Sequence, residues 1–297
     1  MILTETISAI EDLYGESVKG IAIERIVIGI FYSGIKLSNG CAGVSYTPVA
    51  EIHGDVSHAS PIFTKEIPIK IKGMTPYEAL NNLSNTPLYK TVKIVLLNAL
   101  STPFLTPERY LIVKDRDVLE CINLDIAKKV GMVGAFPPFI KRLKKLRDIQ
   151  LHVIERKKES LIGDDAQYFV PAEDAKSMLP HCDTVIITGA SIANGTIDEL
   201  LGYTRYDARV IVTGPTASFL PDAFFKRNVD AVSGVAVTRP DEALDMISEG
   251  AGAYHLFTNA CVKKINVLSK KGTNSSNNKD GKCGKEEGYN GMASLRD

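Results

Sequence analysis

From residue 124 onward, short apolar runs alternate with segments of helical pattern, and this alternation constrains the fold more than any other feature of the chain. Runs this short and rich in β-branched residues are typical of buried strands. Strands that alternate with helices form a parallel sheet with helices on both faces, and right-handed crossovers make the arrangement Rossmann-like. The predicted strands are Lys129–Phe136, Leu151–Ile154, Thr184–Thr188, Val210–Thr213 and Ala231–Val237. The predicted helices are 138–147, 171–179, 196–201, 221–227 and 240–249.

The first hundred residues have a different pattern, in which one helix is followed by strands and then by two helices. Residues 2–14 place apolar side chains at helical spacing, and residues 23–48 are rich in β-branched residues with turn signals between them. Residues 75–100 contain the two later helices. This order predicts a smaller α+β domain in front of the Rossmann-like one. The expected division is an α+β domain over 1–110, a Rossmann-like domain over 111–265 and a disordered polar tail over 266–297.

The charge of the chain bears on its partners. Lys and Arg number 35, as do Asp and Glu, so the formal net charge is zero. A neutral chain lacks the electrostatic attraction that nucleic acid or an anionic membrane exerts on a basic protein, and neither is expected as a partner. The N-terminal segment lacks the pattern of a signal peptide, and no apolar run approaches the roughly 18 residues of a membrane span. Five scattered cysteines form no CxxC pair. We therefore expect a cytoplasmic protein.

The ends of the first two Rossmann strands carry residues that indicate a nucleotide-like ligand. Gly131 and Gly134 follow the first strand in a loose GxxGxFP pattern, and glycines let a ligand approach the backbone. The helix that begins near Pro138 is expected to present unpaired N–H groups as an anion site. Glu155 ends the second strand, 21 residues after Gly134, where nucleotide-binding Rossmann units bind a ribose diol. The alternative is that the glycines serve helix packing and that Glu155 pairs with a lysine.

Glycines and small polar residues also follow the third and fourth Rossmann strands, at the sheet edge where open α/β proteins bind ligands. Because three such loops converge, a ligand cleft is favoured over coincidence. Thr196 and Glu199 have the spacing of a capping box, which assigns Thr196 to the start of a helix. The candidate binding residues in these two loops are Thr188, Gly189, Ser191, Asn194, Gly214, Pro215 and Thr216.

A polar segment in the N-terminal half offers potential metal ligands. His53, Asp55 and His58 lie within eight residues of one another and of Glu51, and this set suits a borderline divalent ion. The alternative is a polar loop with no ligand. Cysteine and histidine do not cluster in the three strand-end loops, so the residues favour an organic ligand, to which a metal is bound as a chelate, over direct metal binding.

Several segments together resemble the heavy-metal chelation family of two-domain bacterial and archaeal proteins. They are GMVGAF (131–136), VIER (153–156), TGASIANGTIDELL (188–201), VTGPTASFLPDAFF (212–225), VDAVSGVAV (229–237), GVSYTP (43–48) and LLNALS (96–101). The resemblance implies an enolase N-terminal-like first domain, a Rossmann-like second domain and a cleft between them. Where the family is expected to have Ser after Gly-Pro, this chain has Thr216. By match of motif, the resemblance implies binding roles for Gly134, Phe136, Glu155, Thr188, Gly189, Asn194, Gly214, Pro215, Thr216 and Asn98.

The expected function is the binding of a small molecule or metal chelate in that cleft. The glycine turns and hydroxyls would hold anionic groups and Glu155 a polyol, whereas Asn98, Asn194 and Glu155 would contact a chelated metal. The implied cofactor is a divalent transition metal or a nucleotide-like or pterin-like molecule. Two alternatives stay open. One is an enzyme that uses a nucleotide, an S-adenosylmethionine-like or a pterin-like ligand, and the other is a non-catalytic scaffold or homo-oligomer.

Overall fold

The computed structural model describes residues 1–57, 70–124, 127–146 and 148–270. For residues 55–57 it describes the backbone alone. The fold is α/β, as predicted, with a mostly parallel sheet preceded by a smaller unit of helices and antiparallel strands. The last strand extends through Leu268, and the predicted polar tail lies outside the described residues from residue 271 onward. No helix in the described ranges combines the length and apolar character that a membrane crossing requires.

The N-terminal unit consists of a three-stranded antiparallel sheet and helices, in the predicted order except that a helix over Val49–Ser57, which was not predicted, follows the strands. Thr75 and Thr86 are the N-caps of two of its helices, and each is followed by a proline, which is preorganised for the first helical position. Its strands are β1 (Ile23–Ile28), β2 (Tyr32–Leu37) and β3 (Ala42–Tyr46). Its α-helices are α1 (Ile2–Tyr14), α2 (Val49–Ser57), α3 (Pro76–Asn82) and α4 (Pro87–Ser101).

The larger sheet contains eight strands within the described residues. They are β4 (Leu111–Lys114), β5 (Lys129–Val133), β6 (Gln150–Glu155), β7 (Phe169–Pro171), β8 (Thr184–Thr188), β9 (Arg209–Thr213), β10 (Val229–Val237) and β11 (Val262–Leu268). Strands β7, β6, β5, β8, β9 and β10 are parallel neighbours in that order, which is the strand order of the Rossmann fold. Strand β11 and then β4 extend the β10 edge in antiparallel fashion. The five predicted strands are present, and β4, β7 and β11 add to them.

Helices cover both faces of this sheet. In β8, Val185 and Ile187 pack into the core shared with the N-terminal unit, whereas Ile186 packs into the core of the opposite face. The predicted helix 171–179 is divided into two 3₁₀ turns with a single α-helical turn between them. The α-helices of this unit are α5 (Pro137–Leu143), α6 (Ala175–Met178), α7 (Ala190–Ala193), α8 (Ile197–Gly202), α9 (Asp222–Phe225), α10 (Pro240–Ser248) and α11 (Ala253–Thr258).

Helix α4 joins the two units. It is buried on nearly all sides because the N-terminal sheet packs against one side and the Rossmann-like unit against the other. The Nδ2 group of Asn98, in the last turn of this helix, donates to the carbonyl oxygens of Val44 at 2.7 Å and Pro215 at 3.3 Å. Asn98 thereby holds strand β3 beside the loop that follows β9. The end of β3 consequently lies next to the carboxyl ends of the parallel strands.

Candidate functional site

A cavity of about 560 Å³ lies where the two units meet at the carboxyl ends of the parallel strands. The ends of β5, β6 and β8 contribute Gly134, Glu155 and Thr188 to its wall, and the N-terminal unit contributes Tyr46 and Glu51. Strands β5 and β8 are the neighbours at which the Rossmann strand order reverses, and open α/β proteins bind ligands at this switch point. The cavity therefore lies where the fold places binding sites.

The turn after β5 is held against the end of β6 by hydrogen bonds. Gly134 has φ +92° and its N–H donates to the carbonyl oxygen of Ile154 at 3.0 Å. A side chain here would lie 2.9 Å from the Cβ of Thr188, so glycine lets the turns after β5 and β8 touch. Helix α5 begins with Pro137 and Pro138, which have no N–H to donate. The anion site expected at this helix start consequently lacks two of its donors.

The carboxylate of Glu155 is fixed in the cavity wall. Its Oε1 accepts from the N–H of Ala135 at 3.1 Å, and its Oε2 accepts from the N–H of Arg156 at 2.9 Å. Each carboxylate oxygen has a second lone pair, so both oxygens retain capacity to accept from a ligand. The backbone thus holds Glu155 at the position where Rossmann nucleotide sites hold their ribose-binding acid.

The loop after β8 supplies hydroxyl and amide groups. Ser191 donates to the carbonyl oxygen of Thr188 at 2.6 Å, and both residues line the cavity. Asn194 lines it as well, and its Oδ1 accepts from the Thr196 hydroxyl at 2.8 Å. The bond orients the Asn194 amide, because Oδ1 must then face Thr196.

The capping box predicted for Thr196 and Glu199 does not form. Thr196 has helical backbone angles, φ −93° and ψ −8°, and makes no capping bond with its side chain. Glu199 accepts instead from the hydroxyl of Tyr203, the residue that follows the end of α8. This bond and partial burial raise the pKa of Tyr203. Thr196, Glu199 and Tyr203 all line the cavity, so residues expected to serve helix formation belong to its wall.

Charged side chains line the part of the cavity between helix α2 and the end of β6. Arg156 donates from its Nη1 to Oε1 of Glu51 at 2.6 Å, which joins the end of β6 to helix α2. The charges of both side chains act on the hydroxyl of Tyr46. Burial is the main cause that raises the pKa of Tyr46, with a contribution from Glu51, while Arg156 opposes the increase. Lys157 and Lys176 line the same cavity.

The structure brings five of the predicted binding residues into the cavity wall: Gly134, Glu155, Thr188, Ser191 and Asn194. Six others lie outside the wall and form the framework behind it. The N–H of Gly189 donates to the Thr213 carbonyl at 2.6 Å, and the Thr216 hydroxyl accepts from the Tyr46 N–H at 3.0 Å. The six are Phe136, Gly189, Gly214, Pro215, Thr216 and Asn98.

Of the three predicted metal ligands, only His53 has a side chain that the structure describes, so their grouping stays a prediction. His53 is exposed on α2 and does not line the cavity. The side chain of Asp55 and the whole of His58 lie outside the described part of the chain. Within that part, no three His, Cys, Asp or Glu side chains are grouped as metal ligands would be.

Sequence analysis did not single out several polar residues of the wall as binding residues, among them Tyr46, Arg156, Lys176 and Tyr203. Arg156 directly follows Glu155 at the end of a predicted strand, so the carboxyl-end rule that singled out Glu155 applies to Arg156 too. Lys176 follows β7, a three-residue strand that the sequence pattern does not reveal. Tyr46 depends on the packing of one unit against the other, which a local pattern does not encode.

Comparison with known proteins finds a separate family match for each of the two units. Residues 117–266 match the DUF364 family and residues 11–101 match the DUF4213 family, and both are described as "Putative heavy-metal chelation". An uncharacterized protein of Methanocaldococcus jannaschii is 27% identical over 179 residues, or 59% of this chain and 64% of that protein. The matched region thus spans less than two thirds of that relative's length.

Two solved structures of DUF364 proteins with unknown function share the fold. The protein from Pyrococcus horikoshii has a TM-score of 0.72 and 20% identity, over 91% of this chain and 100% of that one. The protein from Desulfitobacterium hafniense has a TM-score of 0.62 and 20% identity, over 88% and 99% of the two chains. The resemblance that the sequence motifs indicated is confirmed, and the chain belongs to the DUF364 family.

Proposed function

We propose that the protein binds a small organic ligand with polar, hydroxyl-bearing edges in the cavity between its two units. The observation that carries this proposal is the carboxylate of Glu155, fixed in the wall of a cavity of about 560 Å³ at the Rossmann switch point. Cavities of about 300–1,000 Å³ are of the size that holds small molecules and cofactors. A carboxylate held by backbone N–H groups is a preorganised acceptor for a diol or an amide edge.

The remaining wall supports a polar ligand of this size. Thr188, Ser191 and Asn194 provide donors and acceptors on the β8 side, and Tyr46 provides a hydroxyl on the side of the N-terminal unit. Apolar contacts come from Val133 and Ile154 at the ends of β5 and β6. A nucleoside or a pterin, with a flat ring and a polar edge, matches this combination of surfaces.

The family description mentions heavy-metal chelation. The donor atoms in the cavity wall indicate how a metal would be bound there. The described lining residues offer carboxylate, hydroxyl and amide oxygens, and they include neither cysteine nor histidine. Soft heavy metals prefer thiolate and imidazole ligands to oxygens. We therefore assign the protein's own contacts to the organic part of the ligand, with any metal held by that organic molecule as a chelate.

The experiment is isothermal titration calorimetry of the purified protein with adenosine, adenosine monophosphate, S-adenosylmethionine, neopterin and the chlorides of nickel, cobalt and zinc. We expect at least one organic probe to bind with one-to-one stoichiometry. Glu155→Gln should weaken that binding about ten-fold, since hydrogen bonds to a charged acceptor are worth roughly 1.5–3 kcal/mol.

The control is Glu249→Gln, which changes an exposed glutamate that does not line the cavity and should leave binding unchanged. Urea unfolding of both variants checks that the Glu155→Gln protein is folded, because Glu155 also holds the turn after β5. Absence of binding by every organic probe, or equal binding by the wild type and the Glu155→Gln variant, contradicts the proposal.

A further inference from the structure

Three cationic side chains line one side of the cavity. Arg156 and Lys157 follow β6, and Lys176 lies in α6 shortly after β7. Strands β6 and β7 are parallel neighbours, with Glu155 and Pro171 in register, so their following segments leave the sheet side by side. All three cations are exposed, and they therefore reach the cavity from its solvent side.

The carboxylates in the cavity wall differ in the hydrogen bonds and ion pairs that they already make. Glu155 accepts from two backbone N–H groups, and Glu199 accepts from the hydroxyl of Tyr203. Glu173 also lines this region and is exposed. Glu51 pairs with Arg156. Lys157 and Lys176 have no ion pair with any residue that the structure describes, so their charges are available to an anion.

The pair between Arg156 and Glu51 is the informative contact. Its partners come from different units of the fold, and the Arg156 side chain is 56% exposed while the Glu51 side chain is 23% exposed. The contact involves Nη1 alone, and the guanidinium makes no other hydrogen bond to described residues. A guanidinium offers five donors in a fork that matches the oxygens of a phosphate group.

We propose that Arg156, Lys157 and Lys176 form a phosphate-binding subsite and that Glu51 occupies it when no ligand is bound. The inference rests on the proposed function, since it identifies the ligand as one that carries a phosphate group. Three cations suit a phosphate, which carries about −1.5 to −2 charges at neutral pH, better than they suit a single carboxylate. A phosphate that enters the subsite displaces Glu51 from Arg156.

If Glu51 competes with phosphate for Arg156, replacement of Glu51 and replacement of Arg156 should change the affinity for phosphate in opposite directions. The probe is inorganic phosphate, titrated into the wild-type protein and observed by ³¹P NMR. Glu51→Gln removes the competitor and should tighten phosphate binding by about three-fold, in line with the modest strength of an exposed ion pair. Arg156→Ala should weaken phosphate binding by about ten-fold or more, because charge-assisted hydrogen bonds are lost. Arg156→Lys should give an intermediate loss, since it keeps the charge without the fork.

The matched control is Glu120→Gln, which removes the same charge from a different exposed ion pair, that of Glu120 with Arg142, away from the cavity. This variant should bind phosphate as the wild type does.

Equal phosphate binding by the wild type and Arg156→Ala overturns the inference, and so does weaker binding by Glu51→Gln. If the organic probes bind in a Glu155-dependent way while phosphate fails, the proposed function stands and the subsite alone is rejected. If phosphate behaves as expected while every organic probe fails, the subsite stands and the proposed function is rejected.

Discussion

Gly43 shows how strongly a single residue determines the contact between the sheet and helix α4. A Cβ atom at this position would lie 2.6 Å from the backbone nitrogen of Ala99 and closer still to the carbonyl oxygen of Val95. Both atoms belong to the backbone of α4, which has no flexible end that could move aside. Strand β3 therefore packs against the helix at a distance that glycine alone permits.

We predict that Gly43→Ala lowers the free energy of unfolding by about 2 kcal/mol or more, because overpacking a close contact costs roughly 1–3 kcal/mol. Urea unfolding monitored by circular dichroism measures the change. Gly20→Ala is the control, since a Cβ at that position meets no atom within 4 Å. Its effect should stay within about 1 kcal/mol of the wild type. A Gly43→Ala protein as stable as the wild type would show that β3 and α4 are less tightly packed than described.

At the scale of the elements, two identical spacings have different outcomes. Thr75 and Glu78 form a complete capping box at the start of α3, whereas Thr196 and Glu199 have the same spacing and form none. Thr75 has the extended backbone that an N-cap needs, with ψ 152°, whereas Thr196 is already helical. The difference arises from the preceding chain, because Asn194 accepts from both the N–H and the hydroxyl of Thr196.

Replacement of the working cap should have a measurable cost. We predict that Thr75→Ala lowers the free energy of unfolding by about 1 kcal/mol, the usual worth of an N-cap hydroxyl. Thr75→Ser keeps the hydroxyl and should retain most of that stability. Chemical denaturation of the two variants and the wild type provides the comparison. Equal losses in the alanine and serine variants would mean that the methyl group, rather than the cap, stabilises this helix start.

The elements also show what the sequence can predict and why the rest escapes it. The central strands are predictable because burial on both faces makes them continuous apolar runs, such as Val185–Ile187 in β8. Strand β11 is not, because Lys263 and Lys264 interrupt its pattern on an exposed stretch. Glu155 is predictable from its position at a strand end. Tyr46 reaches the same cavity through contacts between units, and such contacts leave no local signal.

At the scale of the whole molecule, the two units share one core. A single cluster of buried residues contains Ile10 of α1, Leu96 of α4, Val185 of β8, Val210 of β9 and Phe224 of α9. If either unit were removed, α4 would expose an apolar side to water, which is unfavourable in proportion to the area exposed. The cavity at the junction of the units consequently depends on both.

We predict that the chain unfolds in one cooperative transition despite its two sheets. Tyrosine fluorescence and far-ultraviolet circular dichroism, followed through the same urea titration, should give the same midpoint. The shared core is the reason, since neither unit can lose its structure without exposing the other. Two separated midpoints would instead indicate units that are stable independently of each other.

The cavity as a ligand site is tested most directly by a crystal structure of the protein soaked with the organic probe that binds most tightly in the calorimetric series. The account predicts electron density for the probe between the two units, with a polar group of the probe within hydrogen-bond distance of the Glu155 carboxylate. Density for the probe elsewhere on the molecule, with the cavity free of it, would contradict the account.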